Sequence, residues 1–540
     1  MEPENKSFFK SDIYFGTSLY SQYPCIKYYW NKEDKTIAPK LKKITTYLQS
    51  QYKNILSEIS IKNGEATIIS HFPIFWEIGD KAIKQLIKKN SIKASETLKN
   101  NLKNIIGTAS AIPILDAAIA KDYPITIQKI GKNYYKHFGY GKGSQYIQST
   151  SSSVDSKFAK KFQNDKAITN EIAESLLIPV PKWKIVNTEK ELIKAYSKFS
   201  KHDIVIKPYN LTRGVGVFVG IKNLKDAIDK FNNIKKLYEL RGYDQNDQKI
   251  LIQERVYGND YRILCINGKL EIATLRTPAY VIGDGKLSIQ ELIEVENQNP
   301  ARNENNLFRT LKPIIIDNTM LEMLEDQKIT LQTIPTKGTV VPIRKTASVS
   351  QGGFTEDVTS KVNNTTRTMC ELIAKQLNAF TLGIDIMCKD ITKPLNNKNG
   401  YLIEVNTAPE MYLNIFPYKG RNQKEKGLTF LRALLPQKPK QRCYFCTYSN
   451  SDNIDTLLTK PTVRHYLTKS PICIINNNDV YEITTSHKTH SVTKINNGNI
   501  KQVYEFAKLN KRFELVIIIT NDKKGLLNQK FNPILSEISL

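Results

Sequence analysis

The stretch Leu382-Gly-Ile-Asp-Ile-Met387 and the stretch Tyr401-Leu-Ile-Glu-Val-Asn406 each place an acid inside a short apolar run. Runs of this length and composition predict buried strands, where an unpaired carboxylate is costly. Glu404 and Asn406 are two residues apart, so they share one face of their strand. Together with Asp385 they offer three oxygen ligands of the kind that Mg²⁺ prefers. We therefore predict a metal site here, in preference to acids that are simply solvated at strand ends.

A lysine followed by a glycine-rich turn forms a second element, Val205-Ile-Lys-Pro208 and then Arg213-Gly-Val-Gly-Val217. A lysine at the end of a strand and the backbone N–H groups of a glycine hairpin can surround phosphate groups. Glycine hairpins and surface lysines are both common, so this element taken alone is only a weak sign of phosphate binding.

An apolar strand that ends in polar residues forms the third element, Leu251-Ile-Gln-Glu-Arg-Val-Tyr-Gly-Asn-Asp260, followed by Tyr261 and Arg262. Such a strand end can offer backbone hydrogen bonds to adenine, and the acid of its Gly-x-Asp sequence can accept hydrogen bonds from a ribose. The three elements together predict a nucleotide site.

In this order the three elements resemble the ATP-grasp family. The segments Arg276–Gly285 and Pro342–Thr359 are similar to the ATP-grasp domain of the cyanophycin synthetases, and the bifunctional glutathione synthetases share a similar stretch. The resemblance is strong over about residues 105–436, weaker over 1–104 and absent after 437.

The resemblance implies ATP as the cofactor, with Mg²⁺ or, alternatively, Mn²⁺. The implied nucleotide site has four parts: lysines at the α- and β-phosphates, a loop over the β- and γ-phosphates, an adenine hinge and an acid at the ribose. In that order they are Lys166 and Lys207; Arg213, Gly214, Val215 and Gly216; Gln253, Glu254 and Val256; and Asp260. The implied metal ligands are Asp385, Glu404 and Asn406.

The resemblance also implies a catalytic set and a substrate region. The catalytic candidates are Lys207 and three arginines for the phosphoryl group and the substrate carboxylate, namely Arg262, Arg276 and Arg344. The substrate candidates are Arg302, Ser350, Gly352, Gly353, Glu410 and Asn414. After the metal strand the family usually has Pro-Gly and a later histidine, whereas this chain has Pro409-Glu-Met-Tyr-Leu-Asn414. This departure concerns the substrate and leaves the nucleotide residues intact.

The implied reaction joins a carboxylate to an amine through an acyl phosphate. We expect an amino acid and a carboxylate acceptor as substrates, with a growing acidic peptide as one such acceptor. The alternatives are a glutathione-synthetase-like ligase acting on a small peptide and a non-catalytic nucleotide-binding protein. Cyanophycin synthetases carry a second, Mur-ligase-like unit with its own P-loop, and this chain has no such motif. We therefore do not expect it to make the full branched polymer alone.

The length predicts several units, and the alternating strand and helix patterns with the family resemblance predict a mixed α/β (α+β) protein with an ATP-grasp fold. The chain has 540 residues, of which 40% are hydrophobic and 24% charged, as in globular proteins. We expect an amino-terminal α/β domain at 1–155, an ATP-grasp domain at 156–436 and a small α/β module at 437–540. The third segment has no chemical signature that we can interpret.

Charge and cysteine content bear on partners and location. The formal charge of +27 comes from dispersed lysines, without a basic block or an arginine–aromatic stripe, so no nucleic-acid ligand is expected. Seven mostly scattered cysteines favour a reducing cytoplasm, and no stretch is typical of a membrane span. Cys443 and Cys446 could supply half a zinc site, but ordinary thiols are favoured. The resemblance implies a homo-oligomer.

Overall fold

The computed structural model describes most of the chain, with gaps. The described residues are 9–14, 25–51, 58–62, 64–69, 80, 83–84, 87, 109–121, 123–131, 133–141, 143–163, 165–199, 203–211, 215–244, 248–302, 310–437, 443–447, 454–459, 461–468, 471–476, 479–486, 489–498, 502, 506, 510 and 512–519. They divide into a central unit, Val154–Lys426, and a terminal unit that combines Met1–Ser153 with Gly427–Leu540. The predicted division at 155 and 436 stays a prediction.

The strands are numbered in chain order. They are β1 Phe9–Tyr14, β2 Cys25–Trp30, β3 Glu58–Lys62, β4 Glu65–Ile69, β5 Ile125–Ile130, β6 Asn133–Phe138, β7 Gln145–Gln148, β8 Ser151–Ser152, β9 Trp183–Val186, β10 Ile204–Pro208, β11 Phe218–Ile221, β12 Ile250–Glu254, β13 Asn259–Ile266, β14 Lys269–Thr277, β15 Tyr280–Ile282, β16 Val340–Pro342, β17 Phe354–Asp357, β18 Thr381–Cys388, β19 Gly400–Thr407, β20 Cys443–Thr447, β21 Ile472–Asn476, β22 Asp479–Ser486, β23 Thr489–Asn497 and β24 Leu515–Ile519.

The α-helices are numbered in the same way. They are α1 Ile37–Gln51, α2 Ile112–Ala120, α3 Lys157–Gln163, α4 Lys166–Ser175, α5 Glu189–Tyr196, α6 Leu224–Leu240, α7 Ile289–Asn297, α8 Asn318–Asp326, α9 Asn364–Gln376, α10 Tyr412–Ile415, α11 Lys426–Leu434, α12 Ile454–Thr459 and α13 Pro461–Leu467. Short 3₁₀ turns lie at Ala109–Ala111, Pro300–Arg302, Val349–Gln351 and Thr359–Lys361.

The central unit contains two antiparallel sheets and a strand pair. The small sheet has the order β11-β10-β12-β9, and the large sheet has the order β17-β14-β13-β18-β19. Strands β15 and β16 pair separately and pack with α7 and α8 around their own apolar core.

Each sheet buries one apolar face under helices. On the small sheet, Ile204, Ile206 and their neighbours on β12 pack with α5 and α6. On the large sheet, alternate residues of β13 and β18 pack with α3, α4 and α9. Because side chains alternate along a strand, Lys207 and Asp385 lie on the opposite faces of their sheets.

Local sequence signals explain where these helices begin. Asp165 caps α4, since its carboxylate accepts a hydrogen bond from the Ile168 N–H at 2.8 Å. Thr188 and Glu191 form a capping box at the start of α5, an arrangement that satisfies otherwise unpaired N–H groups. The amphipathic pattern that begins at Asp165 is thereby confirmed as a helix.

The terminal unit contains three sheets. Two are antiparallel, with the orders β1-β2-β4-β3 and β5-β6-β7-β8. The third, β20-β24-β21-β22-β23, is parallel across its first three strands and antiparallel beyond. No helix among the described residues is both long and apolar enough to cross a membrane.

The predicted α/β class is confirmed, because helices and strands are both plentiful in the described chain. The two acid-bearing strands predicted from sequence are β18 and β19, which are neighbours in the large sheet. The proposed linker at residues 437–441 lies almost wholly outside the described residues.

Candidate active site

A row of charged residues crosses the large sheet. In the strand register Arg262 is opposite Asp385, and Asp385 is opposite Glu404. Directly opposed residues point to the same face of a sheet. Asn406 is opposite Gly383, two residues from Asp385, and so lies on that face as well. The structure thus brings the three predicted metal ligands together.

Two arginines hold the Asp385 carboxylate. Arg262 donates through Nε and Nη2 to its two oxygens, the second at 3.2 Å, and Arg276 Nη2 lies 3.3 Å from Oδ1. Burial alone would raise the pKa of Asp385, but the two guanidinium groups lower it below its usual value. Asp385 therefore stays ionised despite its surroundings.

Arg276 also binds Asp260, so the cluster has two arginines and two acids. Arg276 Nε donates to Asp260 Oδ1 at 2.9 Å. Burial raises the pKa of Asp260 despite the opposing charge of Arg276. The pKa of Arg276 is raised, because Asp385 and Asp260 outweigh its burial. The acid predicted for the ribose is thus part of the carboxylate–guanidinium cluster.

Gly383 leaves room for the Arg262 side chain. A Cβ atom at Gly383 would lie 2.8 Å from Cβ of Pro409 and 3.0 Å from Nη1 of Arg262. Either approach is closer than ordinary van der Waals contact. Close packing by Pro409 and Arg262 therefore favours glycine at position 383.

The charge of Glu404 acts on the two predicted phosphate-binding lysines. Its carboxylate accepts no hydrogen bond from the described part of the chain, but its charge raises the pKa values of both Lys166 and Lys207. Burial acts more strongly in the opposite direction and lowers the pKa of Lys207 to about 8. The charge of Lys166 contributes to this lowering of the Lys207 pKa. Lys207 is therefore a buried cation that Glu404 attracts at longer range, without a close hydrogen-bonding partner among the described residues.

Lys166 is anchored to the backbone that follows β10. Its ammonium donates to the carbonyl oxygen of Leu211 at 2.8 Å and to that of Tyr209 at 3.3 Å. The side chain is buried at the first residue of α4, and burial lowers its pKa. The sequence predicted the lysine but gave no sign of these carbonyl contacts.

The predicted glycine loop is described only in part. Arg213 and Gly214 lie outside the described residues. Gly216 has a positive φ of 72°, and a Cβ atom there would lie 2.8 Å from Cγ of Pro208. Glycine is favoured where both conditions hold. The end of the loop, with Val215, thus folds back on the strand that carries Lys207.

The predicted adenine hinge lies at the end of β12. Gln253 is buried opposite Val205, on the same face of the small sheet as Lys207. The Glu254 N–H donates to the carbonyl of Lys182 at 2.9 Å. Val256 follows in the segment between β12 and β13, partly exposed. These residues border the same face as the lysines.

The predicted substrate residue Arg302 is almost completely buried. Its Nε donates to Glu296 at 2.9 Å, and its Nη1 donates to the carbonyl oxygens of Lys312 and Gly352 at 2.5 and 3.0 Å. Its guanidinium carbon lies 4.9 Å from the centre of the Phe354 ring. In this structure Arg302 holds the backbone of the predicted substrate loop.

That loop is tightly packed at its glycines. Gly352 has a positive φ of 92°, and a Cβ atom there would lie 2.6 Å from Cγ1 of Ile314. A Cβ atom at Gly353 would lie 2.8 Å from the carbonyl oxygen of Thr277, next to Arg276. The exposed Ser350 exchanges a hydrogen bond with Ser348 at 2.8 Å.

Three further candidates form hydrogen bonds with partners outside the cluster. Arg344 is buried and donates to Asp317, the cap of α8, so the structure does not bring it to Asp385. Glu410 is exposed, and its carbonyl accepts a hydrogen bond from Asn414 Nδ2 at 2.7 Å. Asn414 therefore fixes the turn that follows the metal strand. The roles predicted for these residues stay predictions.

The zinc alternative lies outside what the structure describes, because the side chains of Cys443 and Cys446 are not among the described ones. Within the described residues no cluster of three or more His, Cys, Asp or Glu could hold a metal. The pair Asp385 and Glu404 with the amide of Asn406 nevertheless fits a hard divalent cation, because all three supply oxygen. Nothing in the set distinguishes Mg²⁺ from Mn²⁺.

Comparisons with known proteins concern the same part of the chain. Residues 164–278 match the family model of the phosphoribosylglycinamide synthetase ATP-grasp (A) domain. This segment is therefore similar to an ATP-grasp domain. It contains both lysines, the glycine loop, the adenine hinge and the two arginines, and the fold implies ATP binding.

Curated relatives match longer stretches of the chain than the family model does. A cyanophycin synthetase of Crocosphaera subtropica is 33% identical over 303 residues, 56% of this chain and 34% of the relative. The glutathione biosynthesis bifunctional protein of Clostridium perfringens is 30% identical over 373 residues, 66% of this chain and 46% of the relative. The chain therefore spans about a third to a half of these relatives. The predicted resemblance to ATP-grasp ligases of the cyanophycin synthetase type is confirmed.

A bifunctional glutathione synthetase from Pasteurella multocida is among the similar solved structures. It has a TM-score of 0.46 and 22% identity, and the match covers 66% of this chain and 49% of that one.

Proposed function

We propose that this chain is an ATP-dependent ligase that joins a carboxylate to an amine through an acyl phosphate. The observation that carries the proposal is that the charge of Glu404, which is opposite Asp385 in the sheet, acts on both Lys166 and Lys207. Phosphoryl transfer needs basic groups that bind the phosphates and acids that hold a divalent cation, and this arrangement offers two of each.

In the proposed reaction an oxygen of the acceptor carboxylate attacks the γ-phosphorus of ATP. The bond to the β–γ bridging oxygen breaks, and ADP leaves. The amine nitrogen then attacks the acyl carbon, the bond between that carbon and the phosphate oxygen breaks, and the nitrogen loses a proton. No serine, cysteine or histidine nucleophile is required.

The chain's own residues orient these groups and neutralise their charge. Lys166 and Lys207 bind the α- and β-phosphates, with the loop at Val215 and Gly216 over the β- and γ-phosphates. Arg262 and Arg276 are placed to stabilise charge that develops on the phosphoryl group and the acyl carbon's oxygen. A bound Mg²⁺, held by Asp385, Glu404 and Asn406, would neutralise charge on the phosphates.

For the substrates we propose an amino acid and a carboxylate acceptor, with an acidic peptide favoured. The similarity to cyanophycin synthetases and the charge of +27 support this choice. The candidate region is Arg302, the loop at Ser350–Gly353 and the turn at Glu410–Asn414. A glutathione-synthetase-like activity is the second candidate, because the Clostridium perfringens relative aligns with 66% of this chain. The homo-oligomer and the cytoplasmic location stay predictions.

A substrate screen tests the proposal. The full chain is incubated with ATP and Mg²⁺, amino acids and candidate acceptors (acidic peptides, dipeptides containing cysteine, single amino acids), and ADP release and product mass are measured. Substrate-dependent ADP release with an amide product supports a ligase, and the product mass distinguishes peptide extension from tripeptide synthesis. ATP binding without ADP release on any combination would instead support a non-catalytic nucleotide-binding protein.

The Glu404→Ala variant tests the metal assignment. We expect turnover to fall by at least about 100-fold, because one of the two carboxylates that hold the cation is lost. Glu356→Gln is the matched control, since Glu356 pairs with Lys361 at the surface of β17. Full activity in Glu404→Ala would show that the metal ligands are elsewhere.

A further inference from the structure

The hydroxyl group of Tyr238 lies buried beneath the turn that leads to the glycine loop. Tyr238 belongs to α6 and is fully buried in the core of the small sheet. Its hydroxyl lies 2.9 Å from Oδ1 of Asn210 and 2.8 Å from the carbonyl oxygen of Lys249, and it accepts the Tyr209 N–H at 3.1 Å. One buried hydroxyl therefore contacts two successive residues of this turn and the strand beside it.

The same turn supplies the oxygens that hold Lys166. The Lys166 ammonium donates to the carbonyls of Tyr209 and Leu211, which flank Asn210. Tyr238 thus reaches the predicted phosphate-binding lysine through a single intervening turn, without contacting the lysine itself.

Gly216, at the end of the glycine loop, packs against the turn of α6 that carries Tyr238. A Cβ atom at Gly216 would lie 3.0 Å from Cδ2 of Leu237, the residue before Tyr238. Consecutive residues of one helix therefore contact Gly216 and the turn at Tyr209–Leu211, Leu237 through van der Waals contact and Tyr238 through hydrogen bonds.

We propose that Tyr238 is a positioning residue for ATP: its hydroxyl fixes the turn at Tyr209–Leu211 and thereby holds Lys166 ready for the phosphates. The inference rests on the proposed ATP-binding function of this site. Burial raises the pKa of Tyr238 to about 12, so the hydroxyl keeps its proton at working pH.

The alternative is that Tyr238 only satisfies polar groups in a core. A buried hydroxyl with that role stabilises the fold but leaves the nucleotide affinity of the folded protein unchanged. The two readings therefore differ in ATP affinity, measured under conditions where every variant is folded.

The test is titration of the full-length Tyr238→Phe variant with ATP and Mg²⁺ by calorimetry. We expect the Kd for ATP to rise roughly three- to tenfold, as for the loss of one net hydrogen bond. Tyr243→Phe is the control, because its ring contacts that of Tyr238 edge-on at 5.3 Å. The Tyr243 hydroxyl makes no hydrogen bond within the described chain, so the Kd should not change.

Two further variants keep the test independent of folding. Asn210→Ala leaves the core intact and should weaken ATP binding in the same direction, by a smaller factor. In a Lys166→Met background, Tyr238→Phe should have less effect than in the wild type, because coupled residues are not additive. An unchanged Kd in Tyr238→Phe, or full additivity with Lys166→Met, overturns the inference. A wild-type chain that does not bind ATP would instead overturn the proposed function.

Discussion

The large sheet and the small sheet accommodate buried charge in opposite ways. On the large sheet the carboxylate of Asp385 lies between Arg262 and Arg276, so its charge has opposite charges beside it. On the small sheet Lys207 is buried with only longer-range attraction from Glu404 and Asp385 to offset its burial. The charge of Asp385 on the large sheet is therefore compensated within the chain. Lys207 on the small sheet has no close counter-ion among the described residues, so an incoming anion would stabilise it.

Asp385→Asn should have the largest effect, because it leaves two buried guanidinium groups with less counter-charge. We expect the free energy of unfolding to fall by about 3–5 kcal/mol, measured by urea denaturation. Asp326→Asn, which breaks the exposed pair with Lys345, should change it by about 0.5 kcal/mol or less. Equal effects of the two variants would mean that the pairing of Asp385 with Arg262 and Arg276 does not contribute to the stability of the folded chain.

Lys207→Met should act in the opposite direction on stability. Removing a buried cation without a close counter-ion should raise the free energy of unfolding of the ligand-free chain at pH 7 by roughly 1–3 kcal/mol. The same change should weaken ATP binding at least tenfold, by calorimetry. Lys230→Met, at an exposed pair with Asp226 on α6, is the control for both measurements. A destabilised Lys207→Met chain would remove the contrast between the sheets.

The smallest effect concerns the proton on Lys207. Its folded-state pKa is about 8, below the ordinary value of 10.5. Between these two pH values the unfolded chain binds more protons, so this residue makes stability rise with pH. The gain in the free energy of unfolding from Lys207→Met should therefore shrink from pH 8 to pH 10.5.

A bound phosphate favours the charged ammonium of Lys207, so ATP binding at pH 8–9 should take up a fraction of a proton. Calorimetry in two buffers of different ionisation enthalpy measures this uptake, and its persistence in Lys207→Met would assign it elsewhere.

Local patterns predicted much of the fold and part of the site. The apolar runs around Asp385 and Glu404 predicted two strands, and the structure makes those strands neighbours. The position of Lys207 at the end of a strand was likewise visible, because strand periodicity and a following glycine loop are local features. The family resemblance supplied the order of the elements.

Contacts between distant residues could not be predicted in this way. Arg262 and Asp385 are 123 positions apart, and no local pattern relates them. Arg344, a catalytic candidate by sequence, contacts Asp317 because the β15–β16 pair and α8 have their own core. The contact of Tyr238 with the turn at Tyr209 was also hidden, because a tyrosine on the apolar face of a helix looks like any other core residue.

The sequence by itself determined which chemical groups this protein has and on which face of each strand they lie. The period of two along a strand requires Lys207 and Asp385 to point away from the isoleucines beside them. Only the tertiary structure decided which of these charges are neutralised within the chain. That outcome depends on strand order and register, which bring Arg262 to Asp385 and leave Lys207 without a close counter-ion among the described residues.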